Sequence, residues 1–183
     1  MSSLYTMDDY YELGEHEERK YIRWELIKGI FKMAPAPLNK HQKVSVSLSG
    51  ELYAYFKKRK CKLRAAPFEV RLDNHTVVQP DICVICDERK MTRRGCAGAP
   101  DFIVEIISRS SEKIDLQEKY YLYEEHGVKE YWVVHPEKKW VDQYVLTDNK
   151  FKLISAFRDI EEGDIITSHL FPELEINLFD IFD

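Results

Sequence analysis

At 183 residues and 21.7 kDa, with 44% hydrophobic and 13% aromatic residues, the chain is long enough to bury one core of ordinary size. No apolar run approaches the ~20 residues a membrane span needs, and the start MSSLYTMDDYYELGEHEERK has neither the basic nor the apolar region of a signal peptide, so a cytoplasmic address without membrane attachment is expected. A net charge of -5 excludes a general nucleic-acid coat protein, which carries a basic excess. Charge is nonetheless patchy: KKRKCKLR (57–64) holds six basic residues in eight and RKMTRR (89–94) four in six, read either as local phosphate contacts or as a solvated helix end and loop. Four cysteines are too few for a disulfide framework and are expected as thiols.

In chain order, Thr6 three residues before Asp9 predicts a capped short helix over TMDDYYEL. YIRWELIKGIFKMAP alternates about a Lys28-Gly29 turn and predicts a hairpin. From His41 to Arg59, Val44, Leu48, Leu52 and Tyr55 recur at helical spacing. LRAAPFEVRL, TVVQPDICVIC and DFIVEIIS are rich in β-formers and predict three strands. SSEKIDLQEKYYLYEEHG predicts a helix ending at Gly127, and EYWVVHPEKKWVDQYVL predicts two strands about Pro136 to Lys139. The strand-helix-strand unit at 101–135 is expected to be a parallel crossover. The remainder reads as edge strands and a short closing helix without chemistry. This is an α/β chain with a mixed sheet, one domain over 1–183 with its core at about 41–136.

Two of the apolar strands carry a central carboxylate, Asp81 and Glu105. Alternation places Asp81 on a face with Val77, Gln79, Cys83 and Ile85, and Glu105 with Ile103 and Ile107. Pro80 lacks an N–H and predicts a bulge or a sheet edge there. If the two strands are neighbours, the acids converge and raise each other's pKa unless a cation lies between them. Mg²⁺ suits two carboxylates, with Mn²⁺ an alternative, because it keeps open positions for phosphate oxygens. The bland alternative has Asp81 capping a loop N–H and Glu105 paired with a surface lysine. A rival metal idea, zinc on Cys83 and Cys86 with Cys61 and Cys96, fails because strand residues three apart face opposite ways; small buried hydrophobes are the better reading.

QPDICVI, GAPDFIVEIISRSS and DLQEKYYLYEEHGVKEYWVVHP, with WELIKGIFKMAPAPLNKHQ and LFPELEINLFDIF, resemble the Uma-two family of restriction-endonuclease-like proteins, a branch of the PD-(D/E)-x-K nuclease superfamily. The resemblance covers nearly the whole chain. It implies a restriction-endonuclease-like α-β-β-β-α-β core, here with an N-terminal helix and hairpin and extra C-terminal strands, and metal-dependent hydrolysis of DNA phosphodiesters. It implies that Asp81 and Glu105 hold the metal together with the Ile106 carbonyl. The superfamily lysine two residues past the second acid is absent, since that position is Ile107. The resemblance implies Lys119 as its replacement and the third catalytic residue. Asp115, Lys119 and Tyr123, four apart, would share a helix face, and the competing reading of Asp115 and Lys119 is a surface pair. Glu25 would face away from Trp24 and Leu26, as a third acid or an outward polar residue. His41 would open the first long helix, beside a phosphate or the metal's outer shell or as an ordinary helix-start residue. His135, where the family often has an acid, receives no role. Alternatives to an endonuclease are a catalytically silent nucleic-acid-binding or regulatory module and a structural or toxin-neutralising partner protein. A homodimer would suit double-strand cleavage, though no residue requires it.

Overall fold

The computed structural model describes residues 4–15, 23–34, 36–107 and 114–183. Helix α1 (Met7–Glu15) starts as expected: the Thr6 backbone N–H and hydroxyl both donate to Asp9 Oδ2 at 2.7 Å, closing the N-terminal turn. Strands β1 (Trp24–Ile27) and β2 (Ile30–Met33) form the hairpin. Its turn holds Lys28 at φ 50° and Gly29 at φ 76°, the left-handed pair that matches strand twist.

Helix α2 (Asn39–Phe56) buries Val44, Leu48, Leu52 and Phe56, each contributing about 1.5–3 kcal/mol. The strict i+4 row continues to Phe56, which displaces Tyr55 to a half-buried place. α2 and the closing helix α4 (Leu178–Phe182) cover one face of the larger sheet.

Two expected strands are each divided between two sheets. LRAAPFEVRL becomes β3 (Lys62–Ala65) and β4 (Glu69–Asp73), and TVVQPDICVIC becomes β5 (Thr76–Val78) and β6 (Ile82–Ile85). Both breaks fall at a proline, Pro67 and Pro80, which cannot donate to a ladder. With β7 (Gly95–Ala97), β8 (Phe102–Ile106), β9 (Glu130–His135), β10 (Trp140–Thr147) and β11 (Lys150–Phe157), the sheets run β2-β1-β5-β4-β7 and β11-β10-β9-β8-β6-β3. β12 (Ile165–Thr167) and β13 (Glu175–Asn177) form a separate two-stranded ribbon.

Asp81 therefore lies just before β6, on the crossover between sheets, and the face inferred for it is corrected. Val77 packs with Tyr10 and Leu26, while Cys83 and Ile85 face the core between the two sheets. Nor is β6 an edge, since it lies between β8 and β3.

A π-helical turn (Ile114–Lys119) leads into α3 (Tyr120–Glu125). The hydroxyls expected to open this helix, Ser110 and Ser111, lie outside the described residues. Gly127, at φ 79°, follows the helix end as expected. β8 and β9 pair in parallel around this connection, so α2, β3, β6, β8, α3 and β9 give the expected α-β-β-β-α-β order.

The thiol expectation is corrected for two cysteines. Cys61 and Cys86 form a disulfide of 2.01 Å, while Cys83 and Cys96 are free and buried. The cause is register: Lys62 pairs with Ile85, so the next residues outward, Cys61 and Cys86, stand opposite each other. Among the described residues no helix is long and apolar enough to cross a membrane.

Candidate active site

The site lies where the chain crosses from one sheet to the other. β6 and β8 are antiparallel with Ile82 opposite Val104, and one further step sets Asp81 opposite Glu105. The Ile106 N–H donates to Asp81 Oδ2 at 2.9 Å, and the Asp81 carbonyl accepts from the Ala66 N–H at 2.9 Å. The crossover is thus clamped on both sides at the residue whose proline neighbour breaks the ladder. His41, in the first turn of α2, brings Nε2 to 3.2 Å from the same Oδ2, while its Nδ1 is buried with no hydrogen-bond partner among the described residues. Asp81 Oδ1 accepts no hydrogen bond among the described residues.

Burial works to raise the Asp81 carboxyl, but the hydrogen bond and charge of His41, the Ile106 N–H and the nearby Lys119 outweigh it and hold it below its ordinary 3.8. Cations thus offset the repulsion expected between the two acids.

Glu105, on β8, is buried among apolar neighbours. Lys119 Nζ donates to its Oε1 at 3.0 Å and Tyr123 Oη donates to the same oxygen at 2.6 Å. Burial first, then the Glu105 and Glu25 charges, push the Tyr123 phenol well above its usual range, so it remains a donor. Lys119 Nζ also lies 3.1 Å from Glu25 Oε1, which accepts the Gln79 N–H at 2.8 Å. Gln79 is anchored in turn by its side-chain amide, which donates to Tyr10 Oη at 3.1 Å and to the Trp24 carbonyl at 3.2 Å.

Glu25 and Lys119 are 5% and 3% exposed, so neither the outward reading of Glu25 nor the surface pair of Lys119 holds. The Asp115 side chain lies outside the described residues. Asp81 and His41 form one bonded group with the Ile106 N–H, and Glu105, Lys119 and Glu25 form a second beside it, whose Lys119 charge acts on Asp81. Sequence reasoning missed Gln79 and gave Tyr123 no part beyond a shared helix face. Tyr123 was within reach, one α-turn past Lys119; for Gln79 the only signal was its place before Pro80-Asp81.

Residues 7–178 match the Uma2 family, described as "Putative restriction endonuclease". The chain belongs to this family. A solved structure from Anabaena variabilis ATCC 29413, described as "a putative nuclease belonging to DUF820", superposes with a TM-score of 0.76 over 97% of both chains at 21% identity, which shows a shared fold. No curated protein matches the chain.

Among the described residues no group of three or more His, Cys, Asp and Glu side chains stands ready to hold a metal. The donor set nevertheless fits a hard cation such as Mg²⁺, which needs only one or two carboxylates and completes its shell with water and phosphate. Asp81 and Glu105 stand opposite each other, and the hydrogen bonds to Asp81 all fall on Oδ2, leaving Oδ1 for such a cation. Three cations or donors, Lys119, Tyr123 and His41, fix the two acids from the protein side.

Proposed function

We propose that this Uma2-family chain is a divalent-metal-dependent endonuclease that hydrolyses DNA phosphodiesters. The observation that carries the reading is the register that brings Asp81 opposite Glu105 with the Lys119 ammonium hydrogen-bonded to Glu105. Asp81, Glu105 and the Ile106 carbonyl would hold Mg²⁺ or Mn²⁺, which when bound lowers the pKa of water and polarises a phosphate oxygen.

The chain's own groups supply the rest. Lys119 offers an ammonium where negative charge develops on the phosphoryl oxygens, the place that Ile107 cannot fill. Glu25 holds that ammonium from the other side, Tyr123 fixes the Glu105 rotamer, and His41 with the Ile106 N–H fixes Asp81 in its charged form. The apolar walls, Ile103 and Ile107 beside Glu105, limit water around these charges and strengthen their interactions.

The test is incubation of purified protein with supercoiled plasmid. Nicking in Mg²⁺ or Mn²⁺ and none in EDTA is the expected result. Cutting that persists in EDTA overturns the metal site; metal binding without cutting any DNA or RNA favours a silent binding module.

A further inference from the structure

The first basic run and the start of the second, 25 or more residues apart in sequence, lie side by side. β3 is the outer strand of the larger sheet, and pairing with β6 lays 57–64 beside the chain that leaves β6 toward Arg89 and Lys90. The Cys61–Cys86 disulfide and the 3.3 Å pair between Lys62 and Glu88 fasten the two segments together. Three acids beside these segments are engaged: Asp87 by Arg89, Glu88 by Lys62, Glu173 by Arg59. Lys57, Lys58 and Lys60 are exposed and have no ion-pair partner among the described residues. Arg94, by contrast, turns away onto the Tyr11 ring at 4.2 Å. On a chain of net charge -5, this is a local excess of cations held on a rigid edge.

Its position relative to the site is fixed by two rulers. Ala65 pairs with Ile82, next to Asp81, and Lys62 lies three residues further along β3, ~10 Å away. His41 touches Asp81 at one end of α2, and Lys57 follows its other end, ~24 Å along the axis at 1.5 Å per residue. At 3.4 Å per base pair, a duplex leaving the site along this edge passes Lys62 after about three base pairs, Lys60 by about five and Lys57 after about seven.

We infer that the α2–β3 turn and strand β3, with Lys57, Lys58, Lys60, Lys62 and Arg64, form a phosphate-backbone track that holds the duplex on one side of the cut. This rests on the endonuclease reading. The track carries affinity and not base recognition, since lysine ammonium groups on phosphates are indifferent to sequence.

The experiment measures anisotropy of labelled duplexes in EDTA across a salt series. It compares the wild type with the triple variant Lys57→Ser, Lys58→Ser, Lys60→Ser and with a control of equal charge change, Lys28→Ser, Lys150→Ser, Lys152→Ser, at exposed sites elsewhere. The track variant is expected to bind at least tenfold more weakly near 0.1 M salt. Its slope of log affinity against log salt should flatten by about 2–3, at ~0.9 per lost phosphate contact. Wild-type affinity should rise as duplexes lengthen past about seven base pairs from the scissile position, and this step should vanish in the track variant. Equal losses in track and control variants, an unchanged slope, or tighter binding to anionic vesicles than to DNA would overturn the inference. Hydrolysis of bis(4-nitrophenyl) phosphate in Mg²⁺ reads the metal site without any duplex. Failure there sinks the endonuclease reading, whereas normal hydrolysis with unchanged DNA binding sinks only the track.

Discussion

Glu105 and Glu130 are buried glutamates at opposite ends of two neighbouring parallel strands, β8 and β9, and they are held in opposite ways. Glu130 Oε1 accepts from Trp132 Nε1 at 2.7 Å, Gln143 Nε2 at 2.8 Å and the His169 N–H at 3.2 Å. Its Oε2 accepts from Ser168 Oγ at 2.9 Å and the Leu170 N–H at 2.8 Å. These donors are neutral and occupy both oxygens, so the carboxylate is saturated and ties the 168–170 segment to the sheet. Glu105 instead meets an ammonium and a phenol, both on Oε1, across from a second carboxylate. Burial alone therefore does not mark a functional acid. What separates the two is whether the partners are neutral donors or charges held beside a second carboxylate.

The sharpest way to break this comparison is to neutralise each glutamate. Glu105→Gln is expected to cut metal-dependent cleavage by 1,000-fold or more, on the order of removing one arm of a metal site. Glu130→Gln should cleave normally once folded but lose on the order of 3 kcal/mol. The reason is that its new NH₂ faces two donors, and each buried donor left unpaired costs about 1–3 kcal/mol. Single-turnover cleavage and urea denaturation of both variants decide it. Full activity in Glu105→Gln would place Glu105 with Glu130, as a structural anchor.

Next in size is Lys119, whose bond to Glu105 is the charge that Glu130 lacks. Lys119→Met should lower turnover about 100-fold, the usual loss when one transition-state donor is removed. Lys119→Arg should recover only part of it, because a planar guanidinium cannot occupy the ammonium's place between Glu25 and Glu105. Wild-type rates in Lys119→Met at saturating Mg²⁺ would remove Lys119 from the chemistry.

What could be read from the sequence follows from what is local. The Lys28-Gly29 hairpin, the α2 stripe and the 130–147 hairpin were legible because each is specified by neighbours within a few residues. The sheet change at Gln79-Pro80-Asp81 was not, since alternation continues through a proline and only long-range pairing shows where each half goes. The disulfide was hidden for the same reason: it needs the β3–β6 register, which no local pattern sets. Alternation told that Glu25 faces away from Trp24 and Leu26. It could not tell that this side is also interior, because a second sheet covers it. Lys119 and Tyr123 were legible as one helix face, and both reach Glu105 even though Lys119 ends a π-helical turn and only Tyr123 lies on α3.

Tyr123 tests whether rotamer control at Glu105 matters apart from charge. Tyr123→Phe removes the 2.6 Å bond but leaves Lys119 in place, so turnover should fall by about tenfold while metal affinity changes little. Glu130 offers the contrast: Trp132→Phe, which removes one of its five bonds, should leave turnover unchanged. If Tyr123→Phe cleaves at the wild-type rate, Lys119 alone orients the carboxylate.

The smallest effect is a pH signature of Asp81 in the metal-free protein. Its carboxyl lies below the ordinary value when folded, so the charged form is the one the fold favours. Such a group stabilises fully above its unfolded value near 3.8, and the contribution disappears as pH falls through the lower folded value. Asp81→Asn lacks this titration but keeps an oxygen for the Ile106 N–H. The wild type should therefore melt above Asp81→Asn near neutral pH, with about 2–4 °C for each kcal/mol lost at this chain length. The gap should narrow as pH falls below 3.8 toward the lower folded value, because only the wild type gives up its carboxylate. Calorimetry in EDTA from neutral pH down into the acid range provides the measurement. A gap of the opposite sign at pH 7 would mean that repulsion from Glu105 outweighs His41, Lys119 and the Ile106 N–H, and that Asp81 is strained until a metal arrives.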